Sequence, residues 1–194
     1  MPTAPDSSPG PSGSPASSGS STDTAPAITT IDGLGRAAAA HRALGQLLFE
    51  TLGGWATADD AHTSPGVRPF YAAWAQHHAW HAELWAARHP STPLADLDGA
   101  TSTARTRLTA VADTLGALGT DAERLAFLAG QVLHQLANVL AEHRSRIDER
   151  LEAPTARVLD LVLTDVHRDL ESARRLVNDQ DVTVPEIDIA AVLG

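Results

Sequence analysis

The sequence predicts an all-α fold of two antiparallel helix pairs joined by a helical crossover. Three observations carry this. From about residue 31 onward, apolar residues recur at helical spacing, Ala, Leu and Arg dominate, and strand-like alternation is almost absent. Gly and Pro punctuate the chain where four long helices and one shorter one would end. A short turn separates the last two long segments and a modest loop the first two, whereas a longer stretch lies between the pairs. Short connections make neighbours antiparallel, and a long middle connection lets the chain cross the bundle.

Residues 1–28 stand apart in composition. Pro2, Pro5, Pro9, Pro11, Pro15 and Pro26 are half of the chain's 12 prolines, Ser and Gly fill the gaps, and Ile28 is the first large aliphatic residue. Such a segment buries too little apolar surface to offset its chain entropy, so a disordered tail is expected. The helical bundle is assigned to residues 31–178 and a C-terminal tail to 179–194.

Each element has local reasons. The first helix runs from Asp32, a possible N-cap, to the Gly53-Gly54 pair or slightly beyond. The second opens at Ser64-Pro65, a cap followed by proline at the first helical position, and closes at His89-Pro90. A shorter helix spans about Thr101 to Leu118. Thr120-Asp121-Ala122-Glu123 has capping-box spacing and opens a long helix to about Glu152. Pro154 starts the last helix, which ends near Asn178. In the tail, Val182, Val184, Ile187, Ile189, Val192 and Leu193 suit docking along the bundle.

Composition narrows the function. The 194 residues suit one domain. A formal net charge of -10, with Arg as the sole strong base type, argues against nucleic acid as a partner. Cys is absent, which excludes disulfides, thiolate metal sites and Cys nucleophiles. No apolar run approaches the ~20 residues that cross a bilayer. No secretory signal pattern opens the chain, so a cytoplasmic location is expected. There is no serine nucleophile motif and no glycine-rich phosphate loop.

Successive residues turn ~100° about a helix axis, so polar residues can be assigned to faces. His41 falls on the apolar face of the first helix, set by Leu34, Leu44, Leu48, Leu52 and Trp55, whereas Glu50 falls opposite. On the second helix the face is set by Phe70, Tyr71, Trp74 and Trp85. His81 sits near its centre, His77 and His78 flank it, and Trp80 and Glu83 lie off it. On the third long helix His143 is central, Glu142 and Gln135 are at the edge, and His134 and Asn138 point outward. On the last, Asp169 is on the shoulder of the face, and Asp165 and His167 are at its edges. A buried polar set follows: His41, His78, His81, His143 and Asp169, with His77, Glu142 and Asp165 as marginal members. His41 is expected at the depth of His78 and His81, and His143 at the depth of Asp165.

Several imidazoles in a bundle core are costly unless each finds a partner. A bound metal would satisfy them, because neutral imidazole suits iron, zinc, copper and nickel. A core network of His with carboxylates, hydroxyls or water would also do so. Acid–base catalysis by one His is a third use.

The segment His78-Ala79-Trp80-His81-Ala82-Glu83-Leu84, within two helix pairs separated by a crossover, resembles the ferritin-like superfamily over residues 31–178. His81 stands at that family's second-helix His position. The family's di-iron members use one Glu from each of two helices and Glu-x-x-His from each of the other two. Here His78 stands at the second-helix Glu position. His41 has the face and spacing of the first-helix ligand. His143, rather than Glu142, is central on the third helix. Asp165-Val166-His167-Arg168 and Asp169-Leu170-Glu171-Ser172 carry Arg and Ser at the fourth-helix His position.

The resemblance implies a ferritin-like four-helix bundle and a metal-dependent oxidoreductase acting on a small molecule. Its metal would be iron or another divalent transition ion, on His41, His78, His81, His143 and Asp165 or Asp169. The alternative is a metal-free ferritin-like bundle acting as a binding or assembly module, with Trp80 at a helix–helix or homodimer contact. Partial cover of Trp80 by the crossover helix or the C-terminal tail is the competing expectation. Iron storage is a third reading by fold analogy.

Overall fold

A computed structural model describes residues 30–58, 63–92, 96–177 and 182–193. Among them the regular structure is helical and no strand occurs. The helices are α1 (Ile31–Thr57), α2 (Arg68–Ala86), α3 (Leu97–Arg107), α4 (Thr109–Ala117), α5 (Asp121–Phe127), α6 (Leu133–Arg146), α7 (Glu149–Leu176) and α8 (Ile189–Leu193). A π-helical segment, Leu128–Val132, joins α5 to α6. The tail of residues 1–28 lies outside the described residues, as does the expected helix end at Asn178.

Several expected boundaries shift for local reasons. Thr30, not Asp32, caps α1, its hydroxyl accepting from the Gly33 amide at 2.9 Å. Ser64-Pro65 opens a turn rather than the helix: the Val67 and Arg68 amides donate to the Ser64 carbonyl, and α2 begins at Arg68. The crossover holds two helices, with Asp96 capping α3 through the Gly99 amide. The Thr120–Glu123 capping box forms as the spacing requires. The third long helix stops at Arg146 rather than Glu152. Asp148 caps α7 ahead of Pro154, but a break at Glu152 divides this helix, and the stretch beyond the break has Pro154 in its first turn, as expected. The backbone departs from helical values at Glu152 (φ -130°, ψ 36°), two residues before Pro154. A helix that restarts after this break accommodates Pro154, because a first-turn amide has no intrahelical carbonyl to meet.

Contacts fix the helix directions. Along α1 and α2, Gly35 lies near His89, His41 on Trp85, Gly45 against Ala82, and Trp55 on Tyr71. One set of numbers rises as the other falls, so the two helices are antiparallel. The same holds for α2 and α7, where His77 meets Asp169, His81 meets Asp165, and Arg88 meets Thr155. The helix α6 returns through Ile147-Asp148 to pack on α7, with Arg144 bonded to Asp160 at 2.7 Å. The helix α3 packs on α1. One core draws on all the long helices, including Leu44, Leu48, Trp85, Leu128, Leu140, Leu159 and Val166. Ile189, Val192 and Leu193 of α8 are buried, and Gln135 holds this end through the Ile187 carbonyl and the Ile189 amide.

Arg124 is buried in this frame. Its guanidinium donates to Thr63 Oγ1 at 2.8 Å and to the Leu118 carbonyl at 3.2 Å, and it lies 5.0 Å from the Trp55 ring centroid. Among the described residues, no helix is long and apolar enough to cross a membrane.

Candidate functional site

The histidines assigned to apolar faces are in the interior. His41, His78, His81, His143 and Asp169 are all buried. Of the marginal members, His77 and Asp165 are partly buried, whereas Glu142 is exposed and ion-paired with Arg146. Trp80 is 45% exposed, which is compatible with partial cover.

Three side-chain contacts at two helix junctions organise the cluster. Between α2 and α7, His77 Nδ1 lies 3.0 and 2.9 Å from the two Asp169 oxygens. Also between α2 and α7, His81 Nε2 lies 3.2 Å from Asp165 Oδ2. Between α1 and α6, His41 Nε2 lies 3.4 Å from His143 Nδ1. The expected depth match of His143 with Asp165 on the adjacent α6 and α7 does not become a contact, because each bonds across to the first helix pair.

A carboxylate accepts and does not donate, so the bond to Asp165 assigns the His81 proton to Nε2. The lone pair then sits on His81 Nδ1. That nitrogen is buried and has no hydrogen-bond partner, and the same is true of His78 Nε2. The two rings are edge to face, with centroids 5.5 Å apart. His41, His78 and His81 line one small cavity with Trp85, Leu136 and Val162. Its free space is about 10 Å³, close to that of a single water.

The surroundings keep the rings neutral. Burial is the main cause lowering the pKa of all four, and His78 and His41 are driven well below the ordinary value. For His41 the neighbouring His143 and His81 add to the effect, and for His78 the neighbours are His81 and His77. At His81 the Asp165 hydrogen bond opposes burial without cancelling it. At His143, Arg146 adds to it. Asp169 moves the other way: burial raises it to about 6 although the His77 hydrogen bond pulls it down.

Gly45 sets how closely α1 and α2 approach beside this cavity. A Cβ there would stand 2.9 Å from the His78 carbonyl oxygen and 3.1 Å from Ala82 Cβ. Helical periodicity does not reveal this role, because Gly45 reads as one more small residue among alanines.

Two features bound what the arrangement can do. Among the described residues, no three His, Asp or Glu side chains converge as they stand into a group able to hold a metal ion. No Glu of α1, α2 or α6 belongs to the cluster: Glu50 pairs with Arg105 at 2.5 Å, Glu142 pairs with Arg146, and Glu83 is exposed. Comparison with known protein families, curated proteins and solved structures finds no match.

Proposed function

We propose that this chain is a helical bundle of the ferritin-like kind whose core histidine cluster binds a divalent transition metal. The carrying observation is the pair of buried, unpartnered imidazole nitrogens, His78 Nε2 and His81 Nδ1, on residues that share a cavity with His41. Neutral imidazole is the ligating form, and burial keeps these rings neutral. The helix order supports the ferritin-like reading: an antiparallel pair α1–α2, a helical crossover, then α5–α6 turning back into α7.

Binding requires the rings of His41 and His78 to turn toward His81 Nδ1 while Asp165 holds His81 in place, with His143 supporting His41. The cavity suits an ion and leaves no room for an organic substrate beside it. The proposal therefore covers metal binding. Oxidation of a small molecule, with iron as the metal, is the extension that the family resemblance implies.

A second reading has its own observation. Asp165 and Asp169 each already hold a His, which suits a metal-free core network in a binding or assembly module. The exposed Trp80 would then serve a protein contact, such as a homodimer.

Elemental mass spectrometry on untagged protein decides between them. Near-stoichiometric metal in the wild type that is lost in His81→Ala supports the first reading. Wild-type protein that stays empty after anaerobic loading with iron, copper and zinc overturns it and leaves the second.

A further inference from the structure

The ferritin-like resemblance implies a carboxylate-bridged iron pair, and the donor set here does not fit one. The family's iron pairs draw carboxylates from all four bundle helices. The two carboxylates in the cluster, Asp165 and Asp169, both come from α7 and both accept from histidines. The side chains left for coordination are imidazoles: His41 and His143 in mutual contact, His78 with a free Nε2, and His81 with a free Nδ1.

We infer that the cluster takes a single zinc- or copper(II)-class ion on imidazole nitrogens, with His81 ligating through Nδ1 and Asp165 acting as a positioning residue on its Nε2–H. This rests on the metal-binding reading above and specifies its ligand atoms and metal class. Three arguments support it. A ligating imidazole commonly donates its other N–H to a carboxylate, which fixes the tautomer and raises the basicity of the ligating nitrogen. Asp165 stands in that relation to His81, and the nitrogen it leaves without a proton is the one buried without a partner. A neutral nitrogen donor set binds first-row ions in an order that rises from iron(II) to copper(II) and leaves zinc above iron(II). A cavity with space for about one water has room for one ion and not for a bridged pair.

The test is titration of the full chain, stripped with chelator, with zinc, copper(II) and anaerobic iron(II) in turn. Calorimetry gives affinity and native mass spectrometry gives stoichiometry. The expected result is one equivalent of zinc or copper(II), held at least ~10-fold more tightly than iron(II). Asp165→Asn is expected to keep the one-ion stoichiometry and weaken affinity by roughly 10–100-fold. His81→Gln should abolish high-affinity uptake. If that variant does not fold, ion preference and stoichiometry in the wild type still decide. Two irons per chain, or iron(II) preferred over zinc, would overturn this inference while leaving the metal-binding reading in place. No uptake of any ion would overturn both. Unchanged affinity in a folded Asp165→Asn protein would remove Asp165 from its positioning role.

Discussion

His41 lies flat against Trp85, with ring centroids 4.3 Å apart and planes 11° from parallel. The stack ties α1 to α2 beside the cavity and holds His41 where its Nε2 meets His143. Trp85 is 1% exposed, so truncation leaves a large void. Trp85→Ala is expected to cost about 3–5 kcal/mol of unfolding free energy. Trp85→Phe keeps an aromatic face under His41 and should cost less. Urea denaturation of both variants checks the order, and equal losses would deny the stack a share.

His77 protects a buried carboxylate. Replacing it by Ala leaves Asp169, 2% exposed in its side chain, without the partner bonded at 2.9 Å. His77 is itself partly solvated, so the expected cost at pH 7.5 is about 1–3 kcal/mol. The penalty falls on the ionised form, and Asp169 has its pKa raised to about 6 even with His77 present. The destabilisation should therefore shrink at pH 5, where the carboxyl is protonated. A penalty that is equal at both pH values would refute the account.

Gly45→Ala adds a methyl where the His78 carbonyl oxygen is 2.9 Å away. Helix propensity alone favours Ala over Gly by ~1 kcal/mol. Separating the two helices opposes that gain, and a net loss of about 1–3 kcal/mol is expected. Gly53→Ala meets nothing within 4 Å and serves as the control that should gain stability. Thermal melts of the two variants should move in opposite directions.

Arg124 serves through its fork as well as its charge, which lies 3.9 Å from Asp121 Oδ1. It donates from two nitrogens to Thr63 and the Leu118 carbonyl and lies over Trp55. Lys carries the charge without the planar fork. Arg124→Lys should thus lose about 1–3 kcal/mol rather than behave as a conservative change. Chemical denaturation at high and low salt separates the two contributions, since a charge-only role predicts rescue by Lys.

Acid should destabilise the metal-free protein. His41, His78, His81 and His143 have folded pKa values lowered by burial below 6.5, so the unfolded chain binds their protons more readily. Their stability contribution is present above pH 6.5 and is lost as pH falls. Each contributes up to about 1.4 kcal/mol per pH unit. Asp169 has the opposite sign: its pKa is raised from 3.8 to about 6, so it favours the folded state toward acid in that interval. Asp165 and Arg146 face the same cluster and enter the causes above for His81 and His143. Four groups against one give a net loss, read as a lower urea midpoint at pH 5.5 than at pH 7.5 in the presence of chelator. A higher midpoint at pH 5.5 would contradict the burial of the rings in neutral form.

Local signals were legible. The Thr120–Glu123 box needs only residues three apart, and it forms as read. The helical period placed His41, His78, His81, His143 and Asp169 on inward faces, and all are buried. Boundary errors arose where two local signals competed. Thr30 rather than Asp32 took the cap of α1, and Asp148 added a turn ahead of the break at Glu152, beyond which Pro154 lies in a first turn as read. The π-helical segment Leu128–Val132 has no local signature in the periodicity, which continues through it.

Spacing along single helices was enough to read a helical fold and to place His41, His78, His81, His143 and Asp169 inside, although it did not reveal the buried Arg124, Thr101 and Thr155. Which rings meet depends on the register between helices, and register is set by side-chain packing across the core, including the close approach at Gly45. Only the tertiary structure decided that His81 turns Nε2 to Asp165, that His41 meets His143, and that His77 rather than His81 holds Asp169. Those choices leave one nitrogen of His78 and one of His81 buried without a partner, and that is where the chemistry of this bundle is to be sought.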